Sequence, residues 1–126
     1  MLSESRSHAT IPVSDFERAK RFYGDVLGFS SEMDTPGGVM YACGGTRFLV
    51  YPTSSRASRQ HTQIGWEVSD IKAAVADLMA RGVTFEVYEL PGLKTEGGIA
   101  QTGPVSSAWF RDPDGNLLSV VQLQEA

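Results

Sequence analysis

Apolar residues recur along this chain at two spacings, and the change from one spacing to the other happens twice in the same order. Ala9 to Val13 is a short apolar run that reads as a strand. After it, Phe16, Ala19, Phe22, Tyr23, Val26 and Leu27 fall at helical spacing on one face, which leaves Glu17, Arg18, Lys20, Arg21 and Asp25 for solvent. Ser14 is placed to cap this helix, with Glu17 three residues on as the partner in a capping box. Asp15 adds negative charge at the positive end of the helix dipole, and Gly28 supplies a left-handed stop. Three strands are predicted next, Phe29 to Asp34, Val39 to Cys43 and Arg47 to Tyr51. The turn chemistry of Pro36-Gly37-Gly38 and of Gly44-Gly45 parts them. The order of the first half is βαβββ.

The second half repeats the plan. Val13-Ser14-Asp15 returns as Val68-Ser69-Asp70, with Phe16 matched by Ile71, Ala19 by Ala74 and Tyr23 by Leu78. Thr62 to Val68 is predicted as a strand, and Ile71, Ala74, Val75, Leu78 and Met79 give an amphipathic helix that ends at Arg81-Gly82. Val83 to Leu90 is β-branched and aromatic enough for a strand. Pro91 to Gly103 is rich in glycine and reads as a mobile excursion with at most a short strand in it. Val105 to Arg111 and Leu117 to Leu123 are the last strands, joined by the turn Asp112-Pro113-Asp114-Gly115-Asn116. Residues 53–60, with many Ser and Arg, read as an exposed linker. The expected organisation is one domain over residues 1–126, with a first repeat at about 8–52 and a second at about 61–123. Two halves, each too small to bury its own apolar face, are expected to pack side by side and leave a shared cleft.

Composition narrows the classes of function. At 126 residues and 41% hydrophobic content the chain suits one compact domain with a real core. A net charge of −4 opposes binding to phosphate backbones or anionic lipid, so neither nucleic acid nor membrane is an expected partner. No apolar run has the length of a membrane span and the first residues carry no signal-like stretch, so a cytoplasmic location is expected. Cys43 is the single cysteine; it can form no internal disulfide and reads as a buried thiol. The glycines follow neither the phosphate-loop nor the dinucleotide spacing, and no serine sits in a nucleophile-elbow pattern.

Val13-Ser14-Asp15, the Phe22-Tyr23 pair, Val26-Leu27-Gly28-Phe29 and the run from Trp109 to Asn116 together resemble the vicinal oxygen chelate superfamily. That group holds glyoxalases, bleomycin resistance proteins, extradiol dioxygenases and fosfomycin resistance enzymes. The resemblance spans about His8 to Gln122. It implies an α+β fold of two βαβββ modules, each curling a mixed sheet into a cup, and homodimers are common among short members. It does not select one chemistry, because members do unrelated reactions on one scaffold.

Metalloenzymes of the superfamily carry ligands at positions that correspond here to His8, Gln63 and Ser119. His8 is a good imidazole ligand and Gln63 offers a neutral carbonyl, but Ser119 stands where those enzymes have glutamate. A neutral set of this kind gives a divalent ion no anionic ligand to offset its lost hydration. His61 offers a different set: two residues before Gln63 on a strand, it would point to the same side, about 6.6 Å along the backbone, so that His8, His61 and Gln63 form a metal site. The plain alternative for His61 is a solvated residue at the end of the linker.

Strand alternation sorts the other candidates. If His8, Gln63 and Ser119 face the cup, then Thr10, Pro12, Gly65, Glu67, Leu117 and Val121 face it too, and Ile64, Trp66, Leu118 and Val120 face the helices. On the strand after Gly45, Phe48 and Val50 suit the helix side, whereas Arg47, Leu49 and Tyr51 line the cup. Arg47 can bind an anionic group through its fork of donors, or it can make a surface ion pair. Alternation alone leaves Trp109 open between a wall of the cup and the core. The expected ligand pocket is therefore His8, Thr10, Arg47, Tyr51, Gln63, Trp109 and Ser119.

Two functions follow from these residues and the resemblance. The first is a binding protein similar in use to the bleomycin resistance group, without a cofactor, whose cups enclose a small and partly aromatic molecule. The second is a glyoxalase-type lyase or isomerase, or a dioxygenase, in which zinc, iron, manganese or nickel polarises vicinal oxygens while Glu67 moves a proton. The missing carboxylate at position 119 favours the first.

Overall fold

The computed structural model describes residues 2–4, 6–54 and 61–123. It divides into two compact units, residues 1–57 and 58–126. The boundary falls inside the predicted linker; residues 55–60 of that linker lie outside the described residues.

In the first unit a short 3-10 turn, Leu2–Glu4, precedes β1 (Ala9–Val13) and α1 (Phe16–Lys20). Strands β2 (Ser30–Thr35), β3 (Gly38–Cys43) and β4 (Thr46–Pro52) follow, and the sheet order is β1-β4-β3-β2. β1 runs parallel to β4, while β4, β3 and β2 are antiparallel neighbours. The parallel pair exists because a helix carries the chain over one sheet face between β1 and β2. Tyr23, Phe48, Ile11, Val13, Val39 and Val50 are fully buried on that face, and Tyr23 rests against both Tyr41 and Phe48.

Two local departures from the sequence reading occur here. The N-cap is Asp15 rather than Ser14: the Asp15 carboxylate accepts from the Arg18 N–H at 3.1 Å, because the backbone leaves extended geometry only at residue 15. The predicted single helix is also split, since α1 gives way to a π-helical stretch over Arg21–Val26, with Leu27 N–H donating to the Phe22 carbonyl at 2.9 Å. Gly28 does end it, at a φ of 82°.

The second unit repeats the arrangement. β5 (Thr62–Glu67) leads into α2 (Ile71–Ala80), whose N-cap Asp70 accepts from the Ala73 N–H at 3.1 Å. After β6 (Glu89–Leu90) and β7 (Leu93–Lys94) come β8 (Ala100–Thr102), β9 (Val105–Arg111) and β10 (Leu117–Leu123). The sheet order is β5-β10-β9-β8, with β5 parallel to β10. Together the units form an α+β fold of two four-stranded mixed sheets with few helices.

The predicted strand from Val83 to Leu90 does not form as one element. Phe85 bridges to Phe110, and Ala100–Thr102 pairs with Ser107–Val105, so two distant segments share the outer edge of β9. Glu86 N–H still donates to the Trp109 carbonyl at 2.7 Å, and Val87 to Ile99 then leaves the sheet with the β6–β7 hairpin in it. Its Val87 is 81% exposed, so the apolar residues that suggested a buried strand do not all face a core. The predicted excursion after Pro91 is also more ordered than its glycines suggest, since it contains both β7 and β8.

The β9–β10 turn is built on Asp112, which is buried with Asn116. The Asp112 carboxylate accepts from the Asp114 and Asn116 backbone N–H groups at 2.9 and 2.8 Å and from the Asn116 side-chain amide at 2.8 Å. Arg111 fastens the neighbourhood by donating to Glu86 at 2.7 Å and to the Gly115 carbonyl at 2.9 Å.

Candidate functional site

Each sheet has one face under its helix and one away from it. In the second unit Leu118 pairs with Ile64 and Phe110, and Val120 with Trp66 and Ala108; Trp66 stacks on Phe110 with ring centres 6.3 Å apart. These residues form the helix side, as predicted for Trp66. Side chains directly opposite one another on neighbouring strands point the same way. Ser119, which pairs with Gly65 and Trp109, therefore occupies the helix-free face together with Glu67, Val121 and Ser107. The facing of Trp109, open in the sequence, is thereby fixed: it is on the helix-free side.

There Trp109 meets Tyr88 edge to face, with ring centres 5.5 Å apart. Tyr88 is held by Thr95, whose hydroxyl accepts from the Tyr88 N–H at 3.0 Å and whose own N–H donates to the Tyr88 carbonyl at 3.0 Å. Sequence reasoning missed Tyr88 because it lay within a predicted strand. The signal was the irregular Pro-Gly composition that follows it, which marks an insertion at a sheet edge. Ser119 is 4% exposed, and its hydroxyl approaches the Ile64 carbonyl at 3.5 Å. A Cβ on Gly65 would lie 2.9 Å from the Ser119 oxygen, so the glycine leaves the space that the hydroxyl uses. Glu67 is exposed on the same face and pairs with Val121.

Two premises about the other end of β5 change. The strand begins at Thr62, so exposed His61 precedes it, and the pairing jumps from Leu117–Thr62 to Leu118–Ile64, which makes Gln63 the extra residue of a bulge. Strict alternation, the reason for grouping His61 with Gln63, does not extend through a bulge.

In the first unit Thr10 pairs with Leu49, Pro12 with Tyr51 and Ala42 with Arg47, and Phe48 and Val50 take the helix side as predicted. Leu49 is the counterpart of Ser119, since they pair with Thr10 and Gly65, which are 55 positions apart on the two units' first strands. Gly38 makes room for this face: a Cβ there would lie 2.9 Å from Leu49 Cδ1 and 3.3 Å from the Tyr51 Cβ. Arg47 donates to Glu32 at 3.4 Å, an ion pair between half-exposed side chains. His8 is exposed just before β1, and Cys43 is half-buried rather than enclosed. His8 belongs to the first unit, Gln63 and Ser119 to the second.

The donor chemistry at the positions expected for a metal does not fit a divalent ion. An imidazole, a carboxamide and a hydroxyl supply no negative charge, and the first-unit counterpart of Ser119 is the hydrocarbon of Leu49. No group of three or more His, Cys, Asp or Glu among the described residues is arranged to hold a metal. No helix among them is long and apolar enough to cross a membrane.

Comparison with known proteins agrees with this architecture. A model of the Glyoxalase/Bleomycin resistance protein/Dioxygenase superfamily matches residues 5–120. Virulence protein STM3117 of Salmonella typhimurium is 27% identical over 130 residues, which cover 97% of this chain and 86% of that protein. Its crystal structure superposes with a TM-score of 0.64, covering 98% of this chain and 99% of that one. The crystal structure of TnmS3, an antibiotic binding protein from Streptomyces sp. CB03234, is 26% identical with a TM-score of 0.65, covering 94% of this chain and 98% of that one. Lactoylglutathione lyase from Agrobacterium tumefaciens shares the fold at 22% identity, with a TM-score of 0.64 and coverage of 94% and 93%.

Proposed function

Because the chain belongs to the glyoxalase/bleomycin resistance protein/dioxygenase superfamily, we propose that it is a small-molecule binding protein that works without a tightly bound metal. The observation that carries this reading is the neighbourhood of Ser119: a buried hydroxyl directly opposite Trp109, whose ring is braced by Tyr88. An aromatic pair provides apolar area and a flat contact for a ligand ring, and a hydroxyl gives one oriented hydrogen bond. A carboxylate at position 119 would instead favour a cation. Likeness to an antibiotic binding protein supports the same reading. On it, the ligand is a small, partly aromatic molecule whose contacts in the second unit are Trp109, Tyr88 and Ser119; Thr10, Leu49 and Tyr51 take the corresponding positions on the first unit's own sheet.

The two tryptophans make a direct test. Trp66 is on the helix side and Trp109 on the open side, so their indole N–H signals in a nitrogen–proton NMR spectrum report on different places. Fused-ring probes such as 1-naphthol, acridine and hydroxyanthraquinone are added without metal. The Trp109 signal is expected to move with saturation and the Trp66 signal to move less. A panel that leaves Trp109 unmoved, or that moves it only after a divalent metal is supplied, overturns the reading.

A further inference from the structure

We propose that the first unit carries an anion-binding cleft at the β3–β4 turn, specific for a carboxylate or phosphate group on a small molecule. Arg6, Ser7, His8, Gly45, Thr46 and Arg47 line a cavity of about 290 Å³. Two arginines and a histidine are among the lining residues, and no carboxylate is. Arg6 and Arg47 also border the adjoining and larger cavity, of about 630 Å³, which the half-buried Cys43 also lines and where Glu32 is the one acid.

Charge and geometry select the ligand. The chain as a whole has a charge of −4, so a concentration of positive groups at one turn is a local feature that the composition does not produce. Arg47 gives one contact to Glu32 at 3.4 Å, between half-exposed side chains, where solvent weakens such a pair and it yields readily to a better anion. Arg6 makes no ion pair among the described residues. The planar fork of a guanidinium matches the paired oxygens of a carboxylate or phosphate. The space beside Gly45 is open, since a Cβ there would meet nothing within 4 Å. The cleft is built wholly from first-unit residues, so it stands or falls apart from the aromatic contacts around Trp109.

Titration calorimetry of the full chain with benzoate and with inorganic phosphate, at constant ionic strength set by chloride, tests the site. Neutral benzamide is the control. Saturable binding of one anion per chain is expected, weakened at least tenfold by Arg47→Gln and by Arg6→Gln. The stronger of the two probes identifies carboxylate or phosphate as the preferred group. The same anion is expected to slow alkylation of Cys43 by iodoacetamide several-fold in the parent protein and not in the Arg6→Gln/Arg47→Gln variant, while circular dichroism shows both folded. Equal binding by benzamide, binding that survives both substitutions, or an alkylation rate indifferent to the anion overturns the proposal.

Discussion

The Ser119 hydroxyl occupies the space above Gly65, 2.9 Å from where a Cβ on that glycine would be. The two residues are register partners on parallel strands, so enlarging Gly65 crowds Ser119. Gly65→Ala is expected to cost about 1 kcal/mol by crowding a buried side chain. In a Ser119→Ala background the same change is expected to be neutral or stabilising by about 0.5 kcal/mol, because alanine suits a strand better than glycine. Urea unfolding of the four proteins measures the coupling; purely additive losses would show that the contact does not exist.

Asp15 and Asp70 are 55 positions apart and do the same work, each accepting from the N–H three residues on at 3.1 Å. Alanine at either position is expected to cost about 1 kcal/mol. Ser14→Ala is expected to cost less than Asp15→Ala, in line with the observed cap, and the difference in urea midpoint is the check.

The Asp112–Asn116 turn gathers three hydrogen bonds on one buried carboxylate. Asp112→Ala leaves those donors without an acceptor and is expected to destabilise by about 2–4 kcal/mol, more than the loss of one typical bond. Asp112→Asn, which keeps one acceptor oxygen, is expected to lose less. Thermal unfolding of both variants decides.

Tyr41 gives the fold an alkaline limit. Burial first, then the nearby carboxylates of Asp34 and Asp25, hold its phenol above the ordinary value of 10.0. The unfolded chain therefore loses this proton first. The associated stability is complete below about pH 10 and is lost as pH rises toward the folded-state value, by at most about 1.4 kcal/mol per pH unit. Tyr41→Phe is expected to flatten that part of the stability curve above pH 10, measured by urea unfolding at successive pH values. An unchanged slope would contradict the burial argument.

Much of the fold was legible because its signals are local. Alternation put Phe48 and Val50 on the helix side and Trp66 with the core, and the repeated Val-Ser-Asp marked both helix starts. What was hidden depends on partners distant in sequence. Val83 to Leu90 has strand composition, but its edge of β9 is shared with Ala100–Thr102, and no periodicity reveals which segment takes that edge. The bulge at Gln63 is likewise a matter of pairing, and it interrupts the alternation on which the grouping of His61 with Gln63 relied. Trp109 could be oriented only once its register partner was known to be Ser119. The contact of Trp109 with Tyr88 likewise required the tertiary structure, because the two residues are 21 positions apart on different elements.

The most direct test of metal-independent binding is elemental analysis of protein purified without chelator, made on the parent chain and on Ser119→Glu. The parent is expected to carry no stoichiometric transition metal, because His8, Gln63 and Ser119 offer no anionic ligand. The Ser119→Glu variant, which supplies one, is expected to gain metal if the ligand positions of the superfamily converge here. Stoichiometric zinc, iron, manganese or nickel in the parent, lost on His8→Ala, would contradict the proposed function.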